Sequence, residues 1–126
     1  MLSLVEYLKE SFSIPLEIKP IGKDLTIKVP LYLKANYALF EGRLAGRELI
    51  FAEAKEDIDL TPDRLEKQAQ QLREILLVPV VFILNGLQPW ERKRLIAKGV
   101  SFVQPGRQLY LPDLLIDLSD VRLSYQ

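Results

Sequence analysis

Two residue types are missing from this 126-residue chain: it has neither cysteine nor histidine. Without cysteine there are no disulfides and no thiol chemistry, and a reducing cytoplasm is the expected compartment. Without either residue, zinc centres of the usual kind, Ser-His and Cys-His nucleophile pairs and imidazole acid–base catalysis all drop out. Any catalysis has to run on carboxylates, lysines and a hard cation such as magnesium. No excess of one charge is present either, since 17 Lys and Arg balance 17 Asp and Glu. A domain built to grip a nucleic-acid backbone usually carries a basic surplus, so that role gets no support from the chain as a whole. No apolar run approaches the roughly 20 residues that cross a bilayer, and the charged opening MLSLVEYLKESF is not a secretory signal.

What remains is an ordinary globular composition, 48% hydrophobic and 27% charged, in a chain long enough for one core. Leu4, Val5, Leu8 and Phe12 recur as one face of an amphipathic helix, which Pro15, Pro20 and Gly22 end. From Leu25 to Lys55 the composition turns to strands. LTIKVPLYL reads as a strand interrupted at Pro30, at an edge or a bulge, and NYALF pairs with LIFAEAK as a hairpin whose turn Gly42 and Gly46 bracket. Thr61, Pro62 and Asp63 form a helix start, and Leu65, Ala69, Leu72 and Leu76 make its buried stripe. VPVVFIL has no polar face, which predicts a strand covered on both sides, as in a βαβ unit. Another helix runs through PWERKRLIAK to Gly99, and SFVQPGRQLYLP predicts a hairpin turning at Pro105 and Gly106. The tail from Asp113 alternates weakly, as a last strand would. The expected fold class is α/β: a mixed sheet with an antiparallel meander, a parallel βαβ crossover, helices on both faces and a C-terminal hairpin. No repeat or linker divides residues 1–126, so they read as a single domain.

Alternation puts Leu49, Phe51, Glu53 and Lys55 on one face of their strand and Ile50, Ala52 and Ala54 on the other. A carboxylate and an ammonium then stand together at the carboxyl end of a strand feeding a crossover helix, a favoured place for ligand sites. The Glu-x-Lys triplet alone is weak, because Glu17-Ile18-Lys19 and Glu91-Arg92-Lys93 repeat it. If the hairpin turns about Leu44 and Ala45, Phe40 faces Leu49, Ala38 faces Phe51 and Asn36 faces Glu53. An amide oxygen is a weaker ligand for a divalent cation than a second carboxylate. Glu41 lies on the order of 15 Å from Glu53 along the strand and on the opposite face. Glu6 and Glu10 are not placed by the sequence. The favoured reading of Glu53 and Lys55 is a solvated strand end or an ion pair worth ~0–1 kcal/mol.

This arrangement, from about residue 36 to 84, resembles the restriction-endonuclease-like fold, whose motif is an acid on one hairpin strand and Glu-x-Lys on the next. The resemblance implies a magnesium site, here Glu53 with Asn36 standing where the second acid is needed. It implies that Lys55 orients the attacking water or stabilises the phosphorane-like transition state. It also gives weight to the polar Gln68 and Gln71 on the following helix. With an asparagine in the acid's place, the expectation is a degenerate version with no cofactor; the alternative is a magnesium-dependent DNA endonuclease using Glu53 and Lys55.

Arg92, Lys93, Arg94 and Lys98, with Arg107 beyond, form the densest positive cluster and are candidates for nucleic-acid contact. Trp90 and Tyr110 are candidates for stacking on bases. The plainer reading is a solvated helix with Leu95 and Ile96 turned inwards. From Val78 onwards, and especially over Arg92–Leu95, Gly99, Phe102, Pro105-Gly106 and Gln108–Pro112, the chain is similar to MarR-like bacterial regulators. There an N-terminal α/β domain precedes a winged-helix DNA-binding domain. The resemblance implies that residues 1–126 are the N-terminal part of a longer chain. The implied partners are a C-terminal winged-helix domain or a partner subunit, with DNA and a homodimer as weaker expectations and no membrane. The expected function is a non-catalytic nuclease-like domain of a bacterial transcription regulator, serving sensing, assembly or DNA-associated regulation. A protein-interaction module unrelated to nucleic acid is the third reading.

Overall fold

A computed structural model describes residues 2–44, 46–55, 60–112 and 116–119. Helix α1 (Leu2–Phe12) leads into strand β1 (Leu16–Pro20), two short helices, α2 (Lys23–Thr26) and α3 (Leu31–Asn36), and strands β2 (Tyr37–Leu44) and β3 (Arg47–Ala54). Helix α4 (Pro62–Leu76), strand β4 (Val80–Ile83), helix α5 (Pro89–Ala97) and strands β5 (Phe102–Gln104), β6 (Gln108–Leu111) and β7 (Ile116–Ser119) follow. The seven strands form one sheet in chain order. β1, β2 and β3 pair antiparallel; β3, β4 and β5 pair parallel; β5, β6 and β7 pair antiparallel again. The class is thus α/β with a mixed sheet, as the alternation of patterns predicts. Among the described residues no helix is long and apolar enough to cross a membrane.

Two cores follow from the two faces of β3. Leu49 and Phe51 turn towards α1 and are buried with Leu4, Tyr7, Leu8, Val81 and Ile83. Ile50 and Ala52 turn the other way and are buried with Leu65, Leu72 and Leu76 of α4, Leu95 of α5 and Phe82. β4 is buried along its whole length because it serves both cores, which explains its lack of a polar face. Burying each such Leu or Phe contributes about 1.5–3 kcal/mol. α4 begins as its sequence dictates: the Arg64 N–H donates to Thr61 Oγ1 at 3.2 Å, and Pro62 fills the first turn. Gly42 has a separate duty, since the Phe51 ring lies where a Cβ at Gly42 would stand.

Three expectations fail here. LTIKVPLYL is not a strand but the α2–α3 pair. Its buried and half-buried apolar residues, Leu25, Val29 and Leu33, recur every four positions and all pack on the α4 core. Gly22 opens the first of these helices, Thr26 Oγ1 donates back to the Gly22 carbonyl at 3.0 Å, and the Pro30 carbonyl accepts the first bonds of α3. The true first strand is β1, an edge strand between Pro15 and Pro20, where proline's missing N–H costs no ladder bond. The third failure is register. The strands run on to Leu44 and Arg47, so Phe40 faces Phe51, Ala38 faces Glu53 and Tyr37 faces Ala54. Asn36 lies outside the ladder, at the end of α3.

Candidate functional site

At the carboxyl end of β3, Glu53 is half-buried and lies on the α1 face with Phe51 and Leu49. Ala38 is its neighbour on β2 and Ile83 its neighbour on β4, so neither flanking strand offers it a carboxylate. Among the described residues the Glu53 side chain makes no hydrogen bond or ion pair. Lys55 sits just beyond the strand. Its backbone N–H donates to the Asn36 carbonyl at 3.0 Å, and its ammonium donates to the Lys34 carbonyl, also at 3.0 Å. Those carbonyls belong to the last turn of α3, the negative end of a helix, where a cation is favoured. Asn36 thus meets this region through its main chain, and Lys55 ties α3 to the end of β3. The described residues include no group of three or more acidic side chains able to hold a metal ion. Among the described residues, then, this strand end brings together one carboxylate, an alanine across from it and a lysine bonded to a helix-end carbonyl. Residues 56–59 lie outside the described residues.

The two glutamines lie away from Glu53. Gln68 is buried in the α4 core on the opposite sheet face, and its Oε1 accepts a hydrogen bond from the Tyr37 hydroxyl. Burial pushes the Tyr37 pKa up, against a smaller downward pull from the Arg64 guanidinium. The phenol therefore stays protonated and donates, and the buried glutamine oxygen is satisfied rather than aimed at a ligand. Gln71 is half-buried on the same helix.

The basic cluster is divided between structural and exposed groups. Lys98 lies 2.7 Å from Asp63 and 3.4 Å from Glu66, and Arg94 lies 3.9 Å from Asp63, so two of the cations clasp α5 to α4. The hydrogen bond from Lys98 holds the Asp63 carboxyl below its usual range, and the same bond raises Lys98. Arg92 is half-buried, and its Nε is buried without a hydrogen-bond partner among the described residues. Lys93 and Arg107 are exposed. Of the aromatic candidates, Trp90 is exposed, whereas the Tyr110 hydroxyl donates to the Ile96 carbonyl at 3.4 Å and its ring packs 6.0 Å from Phe102. Tyr110 is therefore part of the fold.

A concave feature lies at the other end of the meander and was not legible in the sequence. A groove of about 600 Å³ opens on the α4 face of β1, β2 and β3, beyond the end of α4. Register places Glu17, Arg43 and Glu48 in one row across the three strands, and Lys19, Glu41 and Ile50 in the next. Arg43 meets Glu48 at 3.4 Å and Lys19 meets Glu41 at 3.8 Å. The available signal was Glu17-Ile18-Lys19 itself, a strand-like alternation set between two prolines. No family model matches this chain, and no curated protein or solved structure matches it.

Proposed function

We propose that this chain is a non-catalytic, nuclease-like α/β domain of a bacterial transcription regulator, working in the cytoplasm by sensing or assembly rather than by cutting DNA. The observation that carries this reading is the pairing at the end of β3: Ala38 stands across from Glu53, and the Lys55 ammonium is bonded to the Lys34 carbonyl. A hydrolytic centre needs a second acid there and a lysine that is available to the attacking water. The order of antiparallel meander, helix and parallel strand supports the nuclease-like comparison. The assembly role draws support from Ile27, Leu31 and Tyr32, three large apolar side chains exposed along the α2–α3 segment. The partner in this reading is a winged-helix domain or subunit, and DNA is reached through it.

The test is incubation of the purified chain with supercoiled, linear and single-stranded DNA in magnesium and in manganese. The expected result is no cleavage of any form. Metal-dependent nicking that disappears in Lys55→Ala would replace this reading with the endonuclease.

A further inference from the structure

The groove at the amino end of β3 is independent of Glu53, which lies on the opposite sheet face. Its lining is mixed, and part of the apolar share comes from Leu25 of α2, Ile50 of β3, Leu76 at the end of α4 and Val78. Its rim is charged but not balanced. Three carboxylates, Glu17, Glu41 and Glu48, face two cations, Lys19 and Arg43. The two cations are each matched to a glutamate across the strands, and Glu17 has no ion pair among the described residues.

A second source of negative potential meets the first. α4 ends at Leu76 on the groove wall, with Leu77 in the left-handed conformation (φ 62°) closing the helix through a bond to the Arg73 carbonyl. The carbonyl end of a 15-residue helix carries a partial negative charge of roughly half an electron. The spare carboxylate and the helix end favour a cation, and the apolar residues of the lining favour hydrocarbon beside it. A space of about 600 Å³ is within the range of small-ligand sites, roughly 300–1,000 Å³.

We infer that this groove binds a small amphipathic organic cation, an ammonium or guanidinium group on an apolar body. The cationic head pairs with Glu17, and the body lies against Leu25, Ile50 and Val78.

The test is a titration of the ¹⁵N-labelled chain with three probes of one chain length: n-hexylammonium, n-hexanol and n-hexanoate. The expected result is saturable amide shifts centred on Ile18, Gly42 and Leu49 with hexylammonium, weaker shifts with hexanol, and none with hexanoate. Glu17→Gln is expected to weaken hexylammonium binding roughly two- to fivefold, the range of an exposed charge pair. Glu17→Lys is expected to weaken it further while leaving the spectrum of the free protein otherwise in place. Equal responses to the ammonium and the carboxylate would overturn the proposal. So would shifts spread over the surface, or an affinity unchanged in Glu17→Lys.

Discussion

Glu17-Ile18-Lys19 and Glu53-Ala54-Lys55 have the same spacing, lie in the same three-stranded meander and come to different ends. In β1 the lysine reaches across to Glu41 at 3.8 Å, and the glutamate stands beside Arg43 on the rim of a groove. In β3 the glutamate faces Ala38, and the lysine turns past the strand end to the Lys34 carbonyl. The triplet has no fixed meaning. What it can do is set by the residue across the ladder and by the helix that ends nearby.

That contrast can be broken or sharpened by substitution. The largest effect is expected at the position separating the two triplets: Gly42→Val pushes a side chain into the Phe51 ring and should cost about 3 kcal/mol, read from urea unfolding. Tyr37→Phe removes the donor to buried Gln68 and should cost about 1 kcal/mol, with no effect on ligand shifts at the groove. Lys55→Ala should cost ~0.5 kcal/mol through the lost bond to α3, read from the same urea unfolding. Glu17→Gln should leave stability within about 0.5 kcal/mol, because no ion pair goes with it.

The clasp between α4 and α5 supplies a pH-dependent case. Asp63 has its folded pKa lowered, chiefly by the hydrogen bond from Lys98. Its stabilisation is therefore present above the ordinary aspartate range and is lost as pH falls through the depressed folded value. Lys98 is raised, so its share is present below the ordinary lysine range and is lost as pH rises through the folded value. Asp63→Asn should flatten the acid limb of a stability–pH curve by a small amount that added salt erases.

Much of this architecture can be read from the chain. The α4 stripe with its Thr61 cap, the doubly buried β4 and the α1 face follow from periodicity and capping chemistry. The register of β2 against β3 does not, for a physical reason. The observed pairing differs from the expected one by two positions, and a slip of two leaves every side chain on its original face. The apolar pattern therefore satisfies both registers, and what separates them is that the ladder runs on to the pair Leu44 and Arg47. Asn36 and Ala38 trade places opposite Glu53 on that difference alone. The α2–α3 helices were obscured because Thr26, Ile27 and Val29 are β-branched, although Leu25, Val29 and Leu33 keep a helical spacing. The groove was hidden with β1, since prolines at both ends make a short edge strand look like a loop.

The most direct test of the account is a magnesium titration of the ¹⁵N-labelled chain, following the amides of Ala38, Glu53 and Lys55 in the presence and absence of DNA. No saturable shift is expected at these three positions. A saturable magnesium-dependent shift at all three, accompanied by strand cleavage, would contradict it.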